Sequence, residues 1–232
     1  MQGTITTFAD LAPLIDQTLL KPQTTAQDIE QLCHEALTHH FKAVCVNPVF
    51  VKLTRQILGD SAPNPVLTAS VIGFPLGASH SSIKARECDL AINDGANEID
   101  MVMRIDYAKE GRWIPLRDDI AEVVKSAAGS PVKVILETGL LSADEIAQSC
   151  RAAEDAGAAF VKTSTGFLGR GASIDDILLM RKSCGPKMKI KASGGIKSFA
   201  QALALIEAGA DRLGTSSGVL LVTGHAIGES GY

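Results

Sequence analysis

AGAAFVKTS, residues 156–164, decides the fold. A glycine-alanine step that ends a helix is followed by a short apolar run, and the run carries Lys162. Apolar runs of this length become buried strands, and lysine is seldom fully buried without a partner. The same order recurs in DGANEIDMV (94–102) and AGADRLGTS (208–216). At the matching position of the three segments stand Asp100, Lys162 and Gly214. The repeat predicts a glycine closing each helix in a left-handed cap, the chain re-entering the sheet, and the special residue at one common height. Gly-Ala is also common in ordinary α/β turns, which is the alternative reading.

Working outward, β-like runs fall at 14–20, 42–47, 65–74, 97–103, 132–138, 159–163, 188–193 and 211–216. Helical patterns lie between them. In 25–39, Ile29, Leu32, Cys33, Ala36 and Leu37 share one face. Segment 142–156 opens with the capping-box pair Ser142 and Glu145. In 198–208, Phe199, Leu203 and Ile206 make a stripe. Strand-helix alternation predicts a parallel sheet covered by helices. With eight such units in 232 residues it predicts an α/β protein, a (β/α)8 TIM barrel in a single domain. An N-terminal helical extension is expected over 1–13 and a flexible C-terminal tail over 224–232. A doubly wound open sheet is the alternative, but no G-x-G-x-x-G follows the first strand and no P-loop occurs.

Lys and Arg number 22 against 26 Asp and Glu, with no basic block, which argues against nucleic acid. No apolar run is long enough to span a membrane, and the start lacks the pattern of a secretory signal. Five scattered cysteines without C-x-x-C argue for reduced thiols, a cytoplasmic setting and no zinc cluster.

Strand alternation sends Glu98, Asp100 and Val102 inward, with Lys133, Ile135 and Glu137, Phe160 and Lys162, and Lys189 and Lys191. Asp100, Glu137, Lys162 and Lys191 thus converge near the C-terminal strand ends, where barrel enzymes keep their chemistry. A structural ion-pair network is the other reading. A buried charge costs several kcal/mol unless paired, about what a purely structural core would avoid with Val, Ile and Leu. Two neighbouring lysines repel, and repulsion with desolvation favours the neutral amine that attacks a carbonyl. Lys162 therefore reads as a nucleophile. Gly194 and Gly195, then Gly214, Ser216 and Ser217, precede helices after the last two strands, where barrels bind phosphate; Gly166, Gly169 and Gly171 offer more backbone. Arg170 or Lys197 would add charge. Ordinary turns are the alternative for any one glycine pair.

IDQTLLKP, VCVNP, IGFPLG, EIDMV, VKVILETGLL, FVKTSTGF, KASGGI and GTSSG, in that order, resemble the 2-deoxyribose-5-phosphate aldolases, class I aldolases on a TIM barrel. The likeness runs over about residues 14–218. It implies reversible cleavage of 2-deoxy-D-ribose 5-phosphate to acetaldehyde and D-glyceraldehyde 3-phosphate through a lysine Schiff base. It implies Lys162 as the Schiff-base lysine, Lys191 as the second active-site lysine and Asp100 as the acid/base. It also implies substrate contacts from Asp16, Thr18, Lys133, Thr165 and Gly166, and a phosphate site of Gly194, Gly195, Gly214, Ser216 and Ser217. Neither metal nor organic cofactor is implied, and a homodimer or higher homo-oligomer is expected. Gln17 and Arg104 depart from the family's His and Asn, and GFLGRGAS replaces a more glycine-rich loop, setting Leu168 and Arg170 beside the phosphate. Some members use a C-terminal tyrosine near the site, which would be Tyr232; a frayed end without a role is the alternative. A ketose-phosphate aldolase and a silent phosphosugar-binding protein are rival functions.

Overall fold

The computed structural model describes residues 7–59 and 65–224. Eight parallel strands close into a barrel in chain order. They are β1 (Ile15–Leu19), β2 (Ala43–Val46), β3 (Leu67–Ile72), β4 (Glu98–Val102), β5 (Val132–Ile135), β6 (Phe160–Lys162), β7 (Lys189–Ser193) and β8 (Arg212–Thr215). The helices are α1 (Ala26–Thr38), α2 (Val51–Leu58), α3 (Ser81–Asn93), α4 (Ile105–Lys109), α5 (Trp113–Ser126), α6 (Ala143–Asp155), α7 (Ile174–Ser183), α8 (Phe199–Glu207) and α9 (Gly218–Thr223). Of the extension expected over 1–13, Phe8–Leu14 forms a 3-10 helix. Residues 1–6 and the tail from 225, Tyr232 included, lie outside the described residues. Among the described residues no helix is long and apolar enough to cross a membrane.

Local signals explain the elements. Ser142 accepts from Glu145 N at 3.3 Å, while the Glu145 carboxylate accepts from Ser142 N at 2.7 Å. That box satisfies two donors a helix start leaves open. Thr25 and Asp28 do the same for α1, which buries Ile29, Leu32, Cys33 and Ala36 and leaves Leu37 half-buried. In α8 the buried face is Ala202 and Leu205 rather than the expected Phe199–Leu203–Ile206 stripe. Phe199 and Ile206 are half-buried at the edges of the core, and Phe199 packs on Phe8 at 4.4 Å. Ala202 and Leu205 face the core, while Phe199 and Ile206 fill the gaps beside it. Gly95, Gly157 and Gly209 have φ of 104°, 84° and 112°, the positive values a left-handed cap needs.

Register sets the interior. Asp100 pairs with Lys133, and Lys133 with Phe160. In a barrel of this shear adjacent strands are offset by about one residue, so alternate strands share a layer at an offset of about two. Lys162, beyond Phe160, is therefore level with Asp100. The same step through Lys191 and Arg212 reaches Gly214, and through Asp16 and Ala43 reaches Cys45. Cys45 leads back through Ala69 and Glu98 to Asp100, closing an upper layer of Cys45, Asp100, Lys162 and Gly214. By the same counting Asp16, Ala69, Lys133 and Lys191 form the middle layer, and Ala43, Glu98, Phe160 and Arg212 the lower. The repeat's three special residues do share one height, because the strand tilt brings alternate strands into step.

Among the described residues, one fully buried charged pair lies outside the barrel. Lys84 of α3 is fully buried and donates to Asp119 of α5 at 2.8 Å and to Val102 O, at the end of β4, at 2.9 Å. Burial pulls its pKa down, and Asp119 partly offsets this. Lys84→Met strands Asp119 in the core and is expected to cost about 3–5 kcal/mol in urea unfolding, while Lys84→Met with Asp119→Leu recovers most of that. A single-variant loss below about 1 kcal/mol would contradict a dry pair.

Candidate active site

Asp100 is the centre of the buried charges. Its Oδ2 accepts from Lys162 Nζ and from Lys191 Nζ, each at 2.8 Å, and its Oδ1 accepts from Lys133 Nζ at 2.8 Å. Beneath it, Asp16 pairs with Lys191 and accepts from Arg212 at 2.7 Å. Glu98 meets Lys133 at 2.7 Å and Arg212 at 3.3 Å. Burial alone would raise the pKa of Asp100, but Lys133, Lys162 and Lys191 outweigh it and hold the carboxyl well below the carboxylate range. Asp16 is likewise pushed up by burial and held low by Lys191, Arg212 and Lys133. Burial pulls Lys191 down, yet Asp100 and Asp16 hold it above the usual lysine value. Lys133 is raised in the same way, chiefly by Asp100 against burial. Cys45, 4.0 Å from Asp100, is pushed up to about 11 by burial and the neighbouring carboxylate, so it is a neutral thiol.

Lys162 and Lys191 do not face each other bare: one oxygen of Asp100 stands between them and takes a hydrogen bond from each. Glu137 does not join the cluster. β5 ends at Ile135, and Glu137 has φ 60° and ψ 58°, so strand alternation has already stopped. Its Oε2 accepts from Thr165 N at 3.1 Å and Thr165 Oγ1 at 2.5 Å, and its Oε1 has no partner. Burial raises its pKa, and the Thr165 hydrogen bonds, with the nearby Lys162 charge, offset only part of this. Arg212, which the sequence reading passed over, sits inward two residues before Gly214 on the same strand face.

Above the upper layer a cavity of about 360 Å³ opens between the loops that follow β1, β6, β7 and β8. Lys162 lines it, with Thr18, Thr165, Gly166, Gly194, Gly195, Gly214, Ser216 and Ser217. Every expected phosphate-site residue is thus on one wall system. Asp16, Asp100, Lys133 and Lys191 lie beneath and do not line it. Lys21 and Lys197 add two ammonium groups to the lining, and Phe167 adds an aromatic ring that meets Phe74 edge-on at 5.1 Å. Hydroxyls brace the loops. Thr163 Oγ1 donates to Ser193 O at 3.0 Å, and Thr215 Oγ1 donates to Ile196 O and accepts from Ser217 N, both at 2.9 Å. Gly214 has a second reason to be glycine: a Cβ there would lie 2.9 Å from Lys191 Cε.

The sequence departures fall away from the cavity. Gln17 donates to Glu35 at 2.9 Å and accepts from Gly218 N at 3.0 Å, tying β1 to α1 and α9. Arg104 pairs with Asp106. Arg170 does not line the cavity; it pairs with Asp176, which also accepts from Thr138 at 2.9 Å, and so pins the loop after β6 to the loop after β5. Among the described residues no three His, Cys, Asp or Glu side chains gather as a metal site.

Titration has opposite signs at the two kinds of acid. Asp16 and Asp100 have lowered values, so their stabilisation is present above the unfolded aspartate value of about 3.9 and is lost as pH falls below it. Glu137 has a raised value, so its contribution is present below about 4.3 and is lost as pH rises through its folded value. Glu137→Gln is therefore expected to raise the urea midpoint at pH 7 and to show a smaller gain near pH 4. An equal gain at both pH values would contradict the assignment.

The sequence model of the DeoC/LacD family of aldolases matches residues 11–228. A Thermococcus gammatolerans protein named deoxyribose-phosphate aldolase is 52% identical over 222 residues, covering 95% of this chain and 98% of its own. A Staphylococcus aureus protein named deoxyribose-phosphate aldolase 2 is 49% identical over 213 residues, covering 92% and 96%. The structure described as a tetrameric deoxyribose phosphate aldolase from Aeropyrum pernix superposes with a TM-score of 0.84 at 34% identity, covering 93% of this chain and 91% of that one.

Proposed function

The chain belongs to the DeoC/LacD aldolase family, and from that premise we propose that it cleaves 2-deoxy-D-ribose 5-phosphate reversibly to acetaldehyde and D-glyceraldehyde 3-phosphate through a Schiff base on Lys162. One observation carries the reading. Of the three lysines inside the barrel, Lys162 alone lines the cavity, with the Asp100 carboxylate 2.8 Å from its Nζ.

Charge balance supports the nucleophile. Lys133, Lys162, Lys191 and Arg212 are four cations facing three carboxylates, Asp16, Glu98 and Asp100. When Lys162 gives up its proton, three cations face three carboxylates. Lys191 donates to the same Asp100 oxygen as Lys162. The free amine adds to the C1 aldehyde of the open-chain sugar. Loss of water leaves an iminium, which restores the fourth cation beside Asp100. The iminium accepts the electron pair of the C2–C3 bond as the C3 hydroxyl loses its proton, giving C3 an aldehyde and Lys162 an enamine. Asp100, through water, handles that proton and returns one to the enamine carbon. Hydrolysis frees acetaldehyde.

The loops after β7 and β8 would hold the phosphate, with Lys197 and Lys21 adding charge, and Thr18 and Thr165 would take hydroxyls. Binding so far from the breaking bond contributes orientation. The thiols all being free supports a cytoplasmic setting. The tetrameric relative, together with Leu76, Ile83 and Leu90 lining one surface hollow, supports a homo-oligomer.

Ser217→Asp sets a carboxylate against the phosphate. It is expected to raise KM for 2-deoxyribose 5-phosphate about tenfold or more, a loss of about 1.4 kcal/mol, while sparing 2-deoxyribose. Equal loss on both sugars would place the phosphate elsewhere, and a wild-type protein that cleaves neither would overturn the reading.

A further inference from the structure

Among the described residues, Glu137 is a buried carboxylate that the mechanism leaves unused and that pairs with no cation, unlike Asp119 and Asp176. It is a non-glycine residue with φ 60°, fully buried, with one oxygen lacking any partner. Such a residue is retained only where its surroundings demand it. What it touches is Thr165, which lines the cavity.

A threonine hydroxyl has one donor and two acceptor positions. The Thr165 donor is committed, because Oγ1 gives its hydrogen to Glu137 Oε2 at 2.5 Å. One acceptor position takes the Phe167 N–H at 3.1 Å. Only acceptor capacity is left for a bound molecule. The same Oε2 also accepts from Thr165 N at 3.1 Å, which fixes the residue's backbone. Without Glu137 the hydroxyl could turn and donate instead.

We propose that Glu137 is a positioning residue that makes Thr165 an obligate hydrogen-bond acceptor in the cavity, so that the site selects aldehydes that carry a hydroxyl group. This rests on the aldolase reading above and adds to it the feature by which the acceptor aldehyde is chosen. An acceptor with a hydroxyl donates to Thr165. One without it leaves Thr165 unpaired, and sites built to pair a substrate hydroxyl discriminate strongly against analogues lacking it.

The test uses acetaldehyde as donor and compares kcat/KM for D-glyceraldehyde with that for propanal, both unphosphorylated so that the phosphate cradle plays no part. Wild type is expected to favour glyceraldehyde. Glu137→Leu and Thr165→Val should each reduce that preference about tenfold, the effect of losing one ordinary hydrogen bond. The double variant should show no further loss, because both changes remove the same interaction. Glu137→Gln keeps an acceptor oxygen for Thr165 and should hold the preference within about threefold. An unchanged preference in Glu137→Leu, or additive losses in the double variant, overturns the proposal. If Glu137→Leu also loses propanal turnover, the turn itself is damaged and Thr165→Val decides: an unchanged preference there overturns the proposal, and the tenfold loss supports it. Wild-type protein that forms no aldol product with either acceptor overturns the aldolase reading, and this inference with it.

Discussion

A carboxylate at the middle of the barrel sets the terms for everything around it. Asp100 is fully buried, and an isolated ionised carboxylate in such a place would cost several kcal/mol and take up a proton instead. Three lysines on neighbouring strands prevent this by donating to its two oxygens. Those lysines in turn need Asp16 and Glu98, and these need Arg212. The network occupies most of three stacked layers. Removing one member leaves another uncompensated, so the chemistry of Lys162 is inseparable from the packing of the barrel.

The interior is divided. Leu20, Cys45, Ala69 and Val71 make a small apolar cluster on the β1–β3 side, while the charges come from β4 to β8 and Asp16. Lys162 stands in the upper layer with cavity above and charge below. The outer shell does the opposite work: Val, Ile, Leu and Met side chains between sheet and helices hold the strands in the register that makes the layers. Register is also where size matters. Gly214 is level with Asp100 and Lys162 but carries no side chain, and Lys191 occupies the space this leaves.

Much of this was legible in the sequence, for a physical reason. Strand alternation has a period of two, so Asp100, Lys162 and Lys191 could be placed inward from single runs, and the Gly-Ala caps fixed where each run began. The shared height of Asp100, Lys162 and Gly214 was readable from the repeat. Alternation failed at Glu137, because a left-handed residue just past the strand redirects the side chain, and nothing local in VKVILET marks that turn. Arg170 looked like a phosphate ligand because it stands in a glycine-rich loop, yet its partner Asp176 comes from the next helix. Lys84 was invisible for the converse reason. In α3 the exposed residue is Ile83 and the buried one is Lys84, so polarity points the wrong way until Asp119 is brought against it by the fold. On β8 the same alternation puts Arg212 on the inward face with Gly214.

The central claim is that cavity exposure, not lysine content, chooses the nucleophile among three lysines that share one carboxylate. Incubation with acetaldehyde and borohydride, followed by peptide mass mapping, tests it most directly. The account predicts one ethyl group per chain, carried by the peptide holding Lys162, with Lys133 and Lys191 unlabelled. An ethyl group on Lys133 or Lys191, or a protein that gains none while still cleaving the sugar, would contradict it.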